Sequence, residues 1–135
     1  MRLIIHLILL TFAMPLAAQD IDAGKDLFLS RCAACHGAGA QGDGPMAALI
    51  SIPVPNLTQL AARNGGEFPR VRVVQTIDGR VLPRGHGGDG PMPVFGPILG
   101  GGSAVLDGPD GTAIQTKGDV VNIMLYLQGI QAEGN

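Results

Sequence analysis

Glycine and proline make up 30 of the 117 residues that follow Ala18, and that density limits the folds open to this chain more than any other feature. A combined share near ~25–30% without a repeat period lies at the edge of the disordered range. Ordering the backbone costs on the order of 1–2 kcal/mol per residue in chain entropy, and only 48 of those 117 side chains are apolar. The chain needs something besides its own side chains to complete a core. At 135 residues it has room for one domain.

Residues 1–18 are a separate object. Met1-Arg2 brings a positive charge, Leu3 to Phe12 is apolar except for His6 and Thr11, and Leu16-Ala17-Ala18 is a small-residue end. This pattern predicts a secretory signal peptide cut after Ala18, leaving residues 19–135 as a single domain. The alternative is an uncleaved N-terminal tether, but the run from Leu3 to Ala18 falls short of the roughly 20 residues of a membrane-spanning helix. Cleavage leaves no integral membrane segment and places the protein in an exported, oxidising compartment, the periplasm. The mature part has 8 basic and 11 acidic residues and no basic stripe, which argues against a nucleic-acid partner.

Two helices are expected to bracket a long, turn-rich middle. Asp22 is positioned to cap the first, from Ala23 to Ala33, with Leu27 and Phe28 on its buried face and Gly24 forming a notch one turn earlier. Thr116 and Asp119 have the spacing of a capping box for the second. Behind them Val120, Ile123, Leu127 and Ile130 repeat at three- and four-residue steps. Between the two, Ala47 to Ser51 and Leu57 to Asn64 suit short helical pieces. Val71 to Ile77 reads as a helix by its spacing, although its composition also suits a strand. Half of residues 84–111 are glycine or proline, and the whole stretch is read as loop. Gly-Asp-Gly-Pro-Met occurs at 42–46 and again at 88–92, so two methionines share one local motif.

Cys32-Ala33-Ala34-Cys35-His36 carries the chemistry. Cysteines three apart at a helix end project to nearly one face, where both thiols can reach the two vinyl groups on one porphyrin edge. The adjacent His36 is then placed to bind iron, and C-x-x-C-H is an attachment pattern for c-type haem. A covalent haem also supplies the apolar body that the composition lacks. Other uses of the motif fit less well. A thioredoxin-like dithiol wants a strand before the motif, and a zinc site wants four ligands. A disulfide closing so small a loop stabilises little.

The chain resembles the class I, single-haem c-type cytochromes of bacteria over nearly the whole mature sequence. The likeness rests on Cys32-Ala33-Ala34-Cys35-His36-Gly37, on Gly42-Asp43-Gly44-Pro45 and on Pro91-Met92-Pro93-Val94-Phe95-Gly96. The Gly24/Phe28 and Tyr126-Leu127 positions add to it. The resemblance implies an all-α fold in which short helices and long loops wrap one covalent haem. Its N- and C-terminal helices cross near a right angle, with Gly24 admitting the Tyr126 ring beside Phe28. The stretch from Gly100 to Gly111 is longer than that family's minimum.

Cys32 and Cys35 are then the thioether residues, and His36 and Met92 the axial iron ligands. Met92 sits between prolines that hold the backbone extended, and its soft thioether favours ferrous iron and raises the reduction potential. Packing on the porphyrin face is the alternative for Met92. Met46 is the rival by motif, yet ten residues from His36 leave little chain to pass around the haem; packing at the haem edge or starting the next turn suits it better. His86, among glycines, is the other rival, and a surface position suits it. A backbone carbonyl should accept from the His36 imidazole, and the resemblance implies that it belongs to a proline of the loop after the motif, making Pro55 or Pro53 candidates and Pro45 a further one. Arg84, Arg80 and Arg63 are eligible for the propionates, and Asn56 for a hydrogen bond at the same edge.

These residues describe a monomeric one-electron carrier and not an enzyme. Its partners would be redox proteins of a respiratory chain, such as a dehydrogenase, a reductase or a terminal oxidase, met through a small transient interface without strong charge steering. The alternative is a haem-based gas sensor or small haem enzyme with a labile sixth ligand.

Overall fold

The computed structural model describes residues 20–82, 90 and 92–132; the expected signal peptide, Arg84 and His86 lie outside them. In chain order the elements are α1 (Ile21–Arg31), α2 (Ala33–His36), a 3-10 turn at Ala47–Leu49 and a second at Leu57–Gln59. The second turn runs into α3 (Leu60–Arg63). Then come α4 (Arg70–Ile77), β1 (Ser103–Asp107), β2 (Ala113–Lys117) and α5 (Gly118–Gly129).

Helix α1 starts two residues earlier than the sequence predicts, because Asp20 and not Asp22 is its cap. The Asp20 carboxylate accepts from the amides of Asp22 and Ala23 at 2.9 and 3.1 Å, satisfying donors that have no partner within the helix. Its own amide donates to the Asn122 side chain of α5 at 3.1 Å, so the cap also docks the two terminal helices. Their contact is close at Gly24, where an added Cβ would run into the Asn122 carbonyl oxygen. The expectation that this notch admits the Tyr126 ring is therefore corrected: backbone of α5 fills it. Tyr126 sits one turn on, its ring centroid 5.4 Å from that of Phe28 and tilted by 47°.

Helix α5 contributes more of the buried core than any other element, with Val120, Val121, Ile123, Met124, Tyr126 and Leu127. Helix α4 adds Val73, Val74 and Ile77, confirming the helical reading of that segment over the strand. At the far end of α5, Gln131 acts as a staple. Its amide donates to the carbonyls of Leu57 and Leu127 at 2.9 and 2.7 Å and its oxygen accepts from the Ala61 amide at 2.9 Å, which seats α3 against α5.

Two expectations fail in the same place. Residues 103–107 are not loop but one strand of an antiparallel hairpin, with Leu106 opposite Ile114 and Ala104 opposite Thr116. The fold is thus mostly helical with one small two-stranded hairpin, which is compatible with the expected class. The inward positions alternate, and Leu106, Ile114 and Thr116 are buried, the period of two that a half-buried strand requires. The capping box is absent for the same reason. Strand β2 stays extended through Lys117, which is the residue before α5 and makes no side-chain cap. Thr116 then falls one position too early and faces inward, where its hydroxyl donates to Asp78 at 3.3 Å. The Asp119 carboxylate instead accepts from the Gly100 amide at 2.9 Å.

Candidate haem site

The Cys-His motif spans a break between two helices. The chain leaves α1 at Cys32, whose amide still donates to the Phe28 carbonyl at 2.8 Å, and re-enters helix as α2. The Cys35 and His36 amides both turn back onto the Cys32 carbonyl, at 3.2 and 2.9 Å. That single turn gathers both cysteines and the histidine. The next segment folds back over it: Gly42, Gly44 and Met46 donate to the carbonyls of His36, Cys35 and Ala34 at 2.8, 3.1 and 2.9 Å. Met46 thus opens the 3-10 turn at Ala47–Leu49, as expected of it.

Cys32 and Cys35 are half-buried and not joined to each other. Burial, helped by the neighbouring Cys35, pushes the Cys32 thiol up to about 11. Catalytic and metal-binding cysteines are shifted the other way, towards thiolate, so this one is a neutral thiol. A redox dithiol does not fit it. Among the described residues no group of three or more His, Cys, Asp or Glu could hold a metal ion.

His36 is 6% exposed and lines a cavity of about 420 Å³. Met92 lines the same cavity, although 56 residues separate the two. Leu57, Leu60, Val73, Ile77 and Leu127 make it largely apolar, and the prolines 53, 55 and 69 complete the walls. Arg63, Arg72 and Thr76 are its polar members. The Leu57 amide donates to the Ala40 carbonyl at 2.7 Å, tying the Pro53–Pro55 stretch to the loop that leaves the motif.

Of the described arginines considered for propionates, Arg63 lines this cavity, donating also to the Asn56 carbonyl and the Gln59 side chain at 2.9 and 3.2 Å; Arg84 lies outside the described residues. Arg80 is ion-paired to Asp78 at 3.0 Å and lines a different pocket with Gln115 and Thr116. Asn56 is a cap, its side-chain oxygen accepting from the Thr58 amide and hydroxyl at 2.9 and 2.7 Å. Arg72 was missed from sequence. It lies one residue before Val73 on α4, and only the helical reading of 70–77 puts it at the cavity.

These residues fit a haem by their chemistry. One imidazole nitrogen and one thioether sulfur are too few to enclose a bare ion, but both donor types are ones that ligate iron already held in a porphyrin. The apolar walls suit the macrocycle, and the arginines suit its carboxylates.

A family model for cytochrome c matches residues 21–130. The chain belongs to the cytochrome c family. No curated protein and no solved structure matches it. As a cytochrome c it binds haem c covalently and serves electron transfer, and Cys32, Cys35 and His36 stand at the attachment spacing. Among the described residues no helix is long and apolar enough to cross a membrane.

Proposed function

We propose that this cytochrome c is an exported, periplasmic one-electron carrier with His/Met axial ligation, cleaved after Ala18. The observation that carries the reading is the shared cavity of His36 and Met92. When bound, haem c supplies a ferric/ferrous couple. Cys32 and Cys35 would hold it through thioethers, and His36 and Met92 would ligate its iron. The thioether of Met92 would favour the ferrous state and a high potential. A carbonyl of Pro55 or Pro53 orients the His36 ring and raises its basicity; both residues line the cavity with it. Arg63 and Arg72 meet the propionates.

The partner surface follows from charge. The 19 residues from Gly44 to Ala62 contain no Asp, Glu, Lys, Arg or His. Within them Met46, Leu49 and Ile52 are exposed, Leu49 to 77%, directly beside the attachment turn. A redox protein with an uncharged, apolar surround to its own cofactor is the matching partner, be it dehydrogenase, reductase or terminal oxidase.

The deciding experiment is the visible spectrum of the reduced holoprotein before and after adding carbon monoxide. An unchanged spectrum is expected from a closed coordination sphere. A rapid and complete shift would overturn the carrier reading in favour of a gas sensor or small haem enzyme.

A further inference from the structure

We propose that Asp78 is a positioning residue for Met92, holding the methionine segment against the end of α4 through a side-chain junction with the β-hairpin. The inference rests on Met92 being the sixth ligand.

Asp78 closes α4, its amide donating to the Val74 carbonyl at 3.0 Å. Its carboxylate is 6% exposed, pairs with Arg80 at 3.0 Å and accepts from the Thr116 hydroxyl of β2 at 3.3 Å. Arg80 reaches on to the Gln115 carbonyl of the same strand. One buried carboxylate thus joins the α4 turn to the hairpin at two adjacent residues.

That same turn grips the chain just after Met92. The Ile77 carbonyl accepts from the Phe95 amide at 3.0 Å. Gly79, at φ +85°, leaves the space that the Val94 side chain occupies, and a Cβ on Gly96 would lie 2.5 Å from the Asp78 carbonyl oxygen. Val94 is therefore seated on Gly79, Phe95 on Ile77 and Gly96 on Asp78, beginning two residues beyond Met92. Ile77 and Met92 line the same cavity.

An ion pair whose arginine is 46% exposed is weak evidence for stability; the better attested use of such a contact is to fix one register. Here the register is that of the hairpin on the α4 turn. The run Gly100–Gly102 that joins the methionine segment to β1 is anchored to the start of α5, Gly100 donating to the Asp119 carboxylate at 2.9 Å and Gly102 accepting from the Gly118 amide at 3.0 Å; the Asp78 junction anchors the hairpin from its other strand, β2. Ligand geometry depends on such second-layer hydrogen bonds.

The test uses the ferric holoprotein and its Asp78→Asn, Thr116→Val and Thr116→Ser variants, titrated with imidazole, which must displace Met92 to bind. The methionine-to-iron charge-transfer band is recorded alongside. Asp78→Asn and Thr116→Val should tighten imidazole binding about three- to tenfold, the size of one lost hydrogen bond, and Thr116→Ser should restore the wild-type value by keeping the hydroxyl. Wild-type affinity in folded variants that retain the band would overturn the positioning role alone. A wild-type protein without the band would overturn Met92 ligation, and the positioning role with it. If Asp78→Asn does not fold, Thr116→Val decides.

Discussion

At the scale of single residues, two positions control most of what the structure does. Gly24 allows α1 to lie against α5 backbone to side chainless backbone, with the Asn122 carbonyl where a Cβ would stand. Backbone yields less readily than a side chain tip, so Gly24→Ala is expected to destabilise the holoprotein by about 1–3 kcal/mol through overpacking. The shift of the urea midpoint checks it. Met92 is the residue on which the proposed ligation rests. Met92→Ala should lower the reduction potential and let exogenous ligands bind, because the soft donor that favours the ferrous form is gone; spectroelectrochemistry reads it, and an unchanged potential and spectrum would sink the assignment.

At the scale of elements, the hairpin is the departure from what composition suggests. Its two faces should behave differently under substitution. Leu106 is buried opposite Ile114, so Leu106→Ala is expected to cost about 2–4 kcal/mol. Val105, exposed on the other face, should tolerate Ala within about 0.5 kcal/mol. Denaturation curves of the two variants separate the cases. The hairpin's turn also carries a pH signature. The Thr112 hydroxyl, and then its amide, hold the exposed Asp110 carboxylate below its ordinary value of 3.8. A lowered carboxylate contributes stability that is present above the unfolded value and is lost as pH falls through the folded one. An NMR titration should place Asp110 below the ordinary value, and Thr112→Val should bring it back towards it.

At the scale of the whole molecule, the charge-free run from Gly44 to Ala62 and the net charge of −2 point to association governed by apolar contact. Exchange with the natural redox partner should change little between low and physiological ionic strength, because screening acts only on charges. Leu49→Glu should slow that exchange by about tenfold or more without altering the potential, since it charges the most exposed apolar side chain of the patch. Stopped-flow rates at two salt concentrations check both statements.

Local chemistry was legible in the sequence because its information is contiguous. Cys32, Cys35 and His36 lie within one turn, the helix of 70–77 shows in the spacing of Val71, Val74 and Ile77, and the stripe of α5 runs from Val120 to Leu127. Only the tertiary structure decided the rest. The Asp20 cap is completed by Asn122 on a distant helix, and the hairpin forms because Leu106 and Ile114 have a core to enter. Thr116 serves Asp78 rather than α5 for that same reason. Arg72 replaces Arg80 at the cavity because α4 turns one arginine towards it while Asp78 and β2 hold the other. Motifs within a few residues fix bonding partners by geometry alone, whereas a glycine-rich chain leaves long-range pairings open until packing selects one of them.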